Sequence, residues 1–483
     1  MTQSGLRSFA RGSAATFAGQ LAQMVLGLVS VVVLSRLLPP ADFGLIAMVA
    51  VVTSLGVLLR DLGLGVAALR APVLEHQQAS NLFWVNAALS LVTGAGIALS
   101  GPVLSAIYHE PRLQVVAPAL SISFVLSGLQ AQIQVSLARA KKFGTLATIT
   151  ATSKALGLAT AIVLALLGWG YWALIVEAWV VALSDFVLKW TAARWSPSRP
   201  RKGAGTRKLV SSGADYAGAG FIQYLASNAD TFTLGARWGA TDVGLYSRAK
   251  QLYTLPLTFL SPLVNVAVPT MNDARARGES VQSHLLKLQA MFGTWIVLLY
   301  VGTAASAPSL FDLALGHEWV GAAPAFQLLA FGGAVKAIEQ VNWWAFLVIG
   351  SSREQLKYNM VSQTGTAALV VLGALHSIEG AAFALSLSFF LSWLLSVHWL
   401  KVTAGLRARE FYWGGLRVLA TGLVATAGTL ILFAVAPAEL NLLWATLAKS
   451  LLAGGSYLLL TGLTKEGRES LRSTAALFHR SGR

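Results

Sequence analysis

The sequence predicts an all-α polytopic membrane protein of about fourteen transmembrane helices, arranged as two pseudo-symmetric six-helix lobes with two further helices after them. Three observations lead there. Hydrophobic residues are 55% of the 483 positions and charged residues only 12%, with a mean hydropathy of +0.64, which leaves too little polar surface for a water-soluble chain of this length. Apolar stretches long enough to cross roughly 30 Å of hydrocarbon recur along the chain. A short segment, LSRLLPPADFGL at 34–45, is echoed by LGARWGATDVGL at 234–245.

The apolar stretches run near 13–35, 43–62, 82–107, 113–138, 145–167 and 170–191, then near 209–235, 244–270, 286–307, 322–348, 359–375, 379–400, 413–435 and 441–463. The first is about 20 residues long and lacks a small-residue cleavage site ahead of a soluble domain, so it is expected to be a retained span. The second ends in Arg60-Asp61-Leu62-Gly63-Leu64-Gly65, where the glycines are expected to break the helix. Residues 192–208, rich in Pro, Gly, Ser and basic side chains, form the natural boundary between lobes. The expected organisation is a six-helix lobe over 1–191, a basic cytoplasmic linker over 192–208 and a second six-helix lobe over 209–400. Residues 401–483 then hold two extra helices and a basic cytoplasmic tail.

Asp42, Gly44 and Leu45 recur as Asp242, Gly244 and Leu245, and Arg36 and Arg237 precede the two aspartates by six and five residues. The copies follow spans one and seven. An even number of spans between repeats gives two halves of the same orientation, and two like lobes enclose a cleft.

Loop charges set the sidedness. One side carries Arg7, Arg11, Arg70, Arg139, Lys141, Lys142, Arg194, Arg199, Arg201, Lys202, Arg207 and Lys208, followed by Arg275, Arg277, Arg353, Lys357, Lys401, Arg407, Arg409 and the basic tail. The other side has only Arg36, Arg112 and Arg237. The positive-inside rule therefore predicts that both termini are cytoplasmic. Topology and contact with anionic lipid headgroups account for the net charge of +16 without a nucleic-acid partner.

The chain has no cysteine, which excludes disulfides, thiol nucleophiles and Cys-ligated metals. It has no GxxxxGK[ST] or HExxH pattern, and its seven histidines are scattered. No catalytic residue, metal site or cofactor is expected, and ATP is not expected to be hydrolysed. The external loops are all short, which argues against a membrane-embedded glycan polymerase or ligase.

An ionisable side chain at the centre of a span costs about 2.5 to 3.5 kcal/mol on insertion scales, so each needs a partner or a use. Lys154 lies in span five and Glu177, Asp185 and Lys189 along span six, joined by the tight turn Gly168-Trp169-Gly170. At about 1.5 Å per residue from that turn, Lys154 and Asp185 are level, which predicts a cross-helix pair, with Lys189 snorkelling to the cytoplasmic face. Asp230 near the end of span seven is expected level with Arg248 and Lys250 in span eight. Lys336, midway along span ten, is followed by Glu339 and Gln340 on the same helical face. Arg60 sits beside Asp61 near the internal end of span two.

Gln20, Gln23, Asn86, Gln130, Gln132, Gln134, Asn228, Asn265 and Asn342 are uncharged polar residues inside spans, read as interhelical contacts around a hydrated interior. Glutamines at 130, 132 and 134 cannot all face one side of a regular helix. Trp169, Tyr171, Trp172, Trp413 and Trp444 fit an interfacial belt.

Taken in order, several segments resemble the polysaccharide transporters of the multidrug, oligosaccharidyl-lipid and polysaccharide exporter superfamily, especially Wzx-type exporters similar to the colanic acid flippase. They are LSRLLPPADFGLIAM at 34–48, DLGLGVAAL at 61–69, NLFWVNAALS at 81–90, Arg139 with Lys142 and Phe143, and GWGYWAL at 168–174. Asn228 and Asp230, GLYSRAKQLYTLP at 244–256, Pro269 and LGHEWVGAAP at 315–324 continue the series.

The resemblance implies a two-lobed bundle in the bacterial inner membrane. It would move undecaprenyl-pyrophosphate-linked sugar repeats from the cytoplasmic to the periplasmic leaflet by alternating access, for exopolysaccharide, capsule or O-antigen synthesis. The implied partners are the lipid-linked oligosaccharide, membrane lipids and the polysaccharide polymerase and export machinery. A pyrophosphate crossing hydrocarbon needs cations in place of water. By depth and charge, the preferred anion contacts are Lys336, Lys154, Arg248 and Lys250, followed by Arg60. Asp230, Asp185 and Glu339 are candidates to carry a coupling proton or Na⁺, or to act as counter-ions. The competing readings are an ion-coupled drug or organic-cation antiporter of the same superfamily, a glycan polymerase or ligase, and a scaffold for an assembly complex. An antiporter of cations calls for an acidic cavity, whereas the candidates here are mostly cationic.

Overall fold

A computed structural model describes residues 3–61, 65, 68–69, 71, 74–201, 206–260, 263–350, 352–435 and 440–472, and among these there is no strand. Leu62, Gly63, Leu64, Arg70, Lys202 and the tail beyond Arg472 lie outside the described residues, as do the side chains of Arg7, Arg11, Arg207, Lys208 and Asn265.

The first compact unit runs through Gly244. It contains α1 (Gln3–Leu37), α2 (Pro40–Asp61), α3 (His76–Leu99), α4 (Gly101–Tyr108), α5 (Leu113–Leu129), α6 (Ala131–Arg139), α7 (Phe143–Leu166), α8 (Tyr171–Ala193) and α9 (Thr206–Trp238). Helix α10 (Ala240–Thr258) starts at its end. The second unit, from Leu245, holds α11 (Val264–Ala276), α12 (Val281–Ala305), α13 (Ala307–Leu315), a 3-10 turn (His317–Ala322), α14 (Ala323–Val348), α15 (Ser352–Ala374), α16 (Ile378–Ala404), α17 (Ala408–Val435) and α18 (Leu442–Leu463).

Eleven helical stretches among the described residues are long and apolar enough to cross a membrane, and the protein is a multi-pass membrane protein. The expected spans at 209–235 and 359–375 are also helical, within α9 and α15, whereas the one at 244–270 is divided between α10 and α11; none of these helices is among the eleven. Asn228 and Asp230 are polar residues of α9, and Arg248 and Lys250 of α10.

Local chemistry sets the breaks. Pro39 and Pro40 follow α1, and Pro40 opens α2, where its missing N–H is no loss. Ser280, Ser377 and Asn441 cap α12, α16 and α18 by accepting the N–H of Ser283, Gly380 and Trp444. The turn into α8 needs glycine at Gly168 and Gly170, both with positive φ. At Gly170 there is a second reason, since a Cβ would lie 3.3 Å from the Asp42 carboxylate.

In the first unit α1, α7 and α8 close a core of Leu34, Leu38, Leu158, Ala161, Ala165, Ala173 and Leu174. Helix α5 packs on α3 and α8, and α9 packs along α2, where Tyr224 Oη donates to the Val51 carbonyl at 3.0 Å. The echoed segments meet within this unit. A Cβ on Gly44 would run into the Ala240 carbonyl, and one on Gly244 into the Pro40 carbonyl. The two repeated glycines thus each give way to the other's helix start.

The linker is tied down over part of its length. Residues 195–201 run as a strap over the first turns of α3. Trp84 Nε1 donates to the Ser198 carbonyl at 2.9 Å, Gln77 to the Arg199 carbonyl at 3.0 Å, and Asn81 exchanges two hydrogen bonds with the Arg201 backbone at 2.7 and 3.0 Å. Trp195 stacks edge-on against His76 and Phe83.

The second unit is built around α14, which lies between α12 and α16, with α15 on α16 and with α17 and α18 on α12. The span that includes α14 is 67% buried and α18 only 17%, so α14 is the enclosed helix. Trp319, Trp344 and Trp393 fill the core.

Candidate anion-contact sites

Lys336 and Glu339 lie on α14. The ammonium meets Glu339 Oε2 at 2.7 Å, as the i, i+3 spacing predicts, and lies 5.1 Å from the centre of the Phe389 ring. The other carboxylate oxygen, Oε1, accepts from Tyr358 Oη at 2.6 Å. Glu339 is buried, whereas the Lys336 side chain keeps 36% of its surface exposed. An ammonium carries three donors. Lys336 spends one of them on Glu339.

Lys154, on α7, is half-buried and donates to the Gln23 carbonyl of α1 at 3.4 Å. The expected pair with Asp185 does not form. Asp185 instead takes Lys189, one turn further along α8, at 2.5 Å. Lys189 does not snorkel. It is 3% exposed and also donates to Gln134 Oε1 at 3.0 Å and Gln130 Oε1 at 3.3 Å, so its three donors are used. Gln130 sits at the break between α5 and α6, while Gln132 is buried separately. The glutamines therefore divide between two faces.

Arg60 is buried and held by several partners. It pairs with Asp61 at 3.0 Å, donates to Ser127 Oγ at 2.8 Å and lies 4.9 Å from the Phe124 ring centre. Arg248 is buried over the Trp319 ring at 5.5 Å and bonded to Gln251. Lys250 lies 5.8 Å from the Tyr246 ring centre. Asp230 is fully buried, and its Oδ1 accepts from the Thr231 N–H at 2.7 Å. It belongs to the first unit, and Arg248 and Lys250 to the second.

Arg139 donates to the Ala68 and Ala71 carbonyls at 2.9 and 2.7 Å, so it ties the end of α6 to the segment between α2 and α3. Outside the spans, Arg112 pairs with Glu110 at 2.8 Å and lies 3.9 Å from buried Asp42. The hydrogen bond from Arg112 holds the Glu110 carboxyl below its usual range. Tyr358, Ser392 and Phe389 were not among the sequence candidates. Among the described residues no group of three His, Cys, Asp or Glu side chains is placed to hold a metal.

Comparison with known proteins decides the family. Residues 33–324 match the family model described as polysaccharide biosynthesis protein. The chain belongs to that family. It is 23% identical over 293 residues to the teichuronic acid biosynthesis protein TuaB of Bacillus subtilis, a match spanning 60% of this chain and 61% of that protein. It is 22% identical over 320 residues to the lipopolysaccharide biosynthesis protein WzxC of Escherichia coli, spanning 65% of this chain and 64% of that one. Its fold is that of the lipid II flippase MurJ in an inward closed conformation, with a TM-score of 0.72 at 13% identity, covering 94% of this chain and 98% of that chain.

Proposed function

We propose that this family member is a flippase that carries undecaprenyl-pyrophosphate-linked oligosaccharide repeats from the cytoplasmic to the periplasmic leaflet of the bacterial inner membrane by alternating access. The observation that carries the reading is Lys336, a cation on the enclosed helix α14 with one acceptor among the described residues for its three donors. A pyrophosphate needs such a group to replace its water. Lys154, with one long bond to a carbonyl, is its counterpart in the first unit. Lys189 and Arg60 are committed to partners on their own and neighbouring helices and have a structural role, and Arg248 and Lys250 rank after the two lysines.

The basic loops support cytoplasmic termini by the positive-inside rule. The repeat supports two halves that join at the linker, 1–191 and 209–400, with 401–483 appended. The protein transports without catalysing a reaction, and the polymerase and export machinery that act on the same repeats are its working partners. An organic-cation antiporter is disfavoured because Asp185 and Glu339 are each neutralised by a lysine of their own helix.

The test is charge reversal. Lys336→Glu and Lys154→Glu should each abolish polysaccharide export, with membrane protein levels unchanged and lipid-linked oligosaccharide accumulating on the cytoplasmic leaflet. Unimpaired export in both variants removes the assignment.

A further inference from the structure

Helix α14 is the enclosed helix of the second unit, yet one stripe of it is left open. Lys336 is partly exposed, Gln340 is half-buried, and Trp343 and Leu347 are exposed. At 3.6 residues per turn these four fall within an arc of about 60°. Their neighbours Glu339, Asn342 and Trp344 are buried. Two adjacent tryptophans therefore have opposite surroundings: Trp344, at 0% exposure, fills the core, whereas Trp343, at 40%, stands on the open stripe.

Lipid is a poor neighbour for that stripe. Polar and ionisable side chains within a membrane span face the bundle interior or a water-filled cavity, so Lys336 and Gln340 put the stripe on an aqueous side, and Trp343 shares it. An indole in that position offers a flat apolar face and one N–H donor. The Gln340 amide adds two donors and an acceptor between the indole and the Lys336 ammonium. Phe389 of α16 lies against the same ammonium, 5.1 Å from its ring centre.

We propose that Gln340 and Trp343 form a subsite for the sugar joined directly to the lipid pyrophosphate, with the indole against the face of the sugar ring and the Gln340 amide on its hydroxyls. The neighbours determine the occupant. Lys336 takes the anionic end, and Gln340 and Trp343 follow about 6 and 10 Å further along the helix, where a sugar attached to a phosphate held by Lys336 comes to lie. A sugar ring has an apolar C–H face that suits an aromatic surface and a rim of hydroxyls that suits an amide. A polyprenyl chain would leave both the amide and the indole N–H unused. A site that bonds particular hydroxyls also rejects sugars that leave its polar groups unpaired, so Gln340 is the specificity-determining residue and Trp343 the tolerant platform.

The subsite rests on Lys336 as the anion contact, and the experiment separates the two ideas. Binding to the full-length protein in nanodiscs is measured for undecaprenyl pyrophosphate and for the same lipid carrying one glucose, galactose or N-acetylglucosamine. The readout is the ratio of affinities, sugar-bearing over sugar-free. In wild type the ratio should reach about tenfold for at least one sugar, the order expected of one stacked ring and one net hydrogen bond. Trp343→Ala should remove most of that gain, and Trp343→Phe, which keeps a ring, should retain most of it. Gln340→Ala should narrow the spread among the three sugars. Lys336→Gln should weaken sugar-free and sugar-bearing lipids alike, by about tenfold or more, and leave the ratio in place. A ratio near one for all three sugars in wild type, or a wild-type ratio in Trp343→Ala, overturns the subsite and leaves Lys336 in place. Wild-type affinity for the sugar-free lipid in Lys336→Gln overturns the anion contact, while the ratio in Trp343→Ala still decides the sugar subsite.

Discussion

Replacing Lys189 by Met should destabilise the first unit strongly, by an amount the structure bounds. Lys189 is 3% exposed, and its ammonium bonds Asp185, Gln134 and Gln130 at 2.5, 3.0 and 3.3 Å. Methionine keeps the length and fills the space, so the loss is electrostatic. Among the described residues Asp185 Oδ1 already has no hydrogen-bond partner, and Oδ2 would lose the Lys189 ammonium, leaving an uncompensated buried carboxylate. Breaking one side of a buried pair costs about 3 to 5 kcal/mol. Asp185→Asn should cost less, about 1.5 to 3 kcal/mol, since Lys189 retains both glutamines and an amide oxygen. In the double variant Lys189→Met with Asp185→Leu most of the loss should return, because an apolar pair needs no partner. The assay is reversible unfolding in mixed detergent micelles. A single Lys189→Met variant within about 1 kcal/mol of wild type, or a double variant as unstable as the single, would refute the reasoning.

Two further outcomes are expected. Glu110 has its carboxyl lowered by Arg112, so its contribution to stability is present above the unfolded value of about 4.3 and is lost as pH falls through the lower folded value. The effect is small because the Arg112 side chain is 40% exposed, and Arg112→Ala should remove that acid-side slope in thermal unfolding followed from pH 5 downwards. Gly44→Ala and Gly244→Ala should each destabilise by about 1 to 3 kcal/mol or more, because backbone carbonyls, not side-chain tips, stand in the way. Alanine at Gly428, inside α17 where a Cβ meets open space, is the control and should not destabilise.

Much of this was legible in the sequence, in proportion to how local the cause was. The apolar stretches became helices, and the Lys336–Glu339 pair follows from one helical turn. The separation of Gln130 and Gln134 from Gln132 follows from the same periodicity. The depth argument that joined Lys154 to Asp185 failed because it ignored Lys189, four residues from Asp185 on the same helix face. Lys189 stays inside because two glutamines of other helices give it acceptors. Tyr358 was missed for a related reason. It reaches Glu339 from the next helix, and no spacing links positions 339 and 358. Strap contacts were equally hidden, since nothing in a Pro- and Ser-rich linker announces which backbone carbonyls another helix will claim.

That strap bears on how the chain can be cut and rejoined. Helix α8 ends at Ala193, the strap occupies 195–201 and α9 begins at Thr206. A tag, a protease site or a foreign domain placed within 195–201 would have to displace bonds that anchor the start of α3. A second half exchanged with that of another transporter would work only if the graft kept Gln77, Asn81 and Trp84 with the strap they hold.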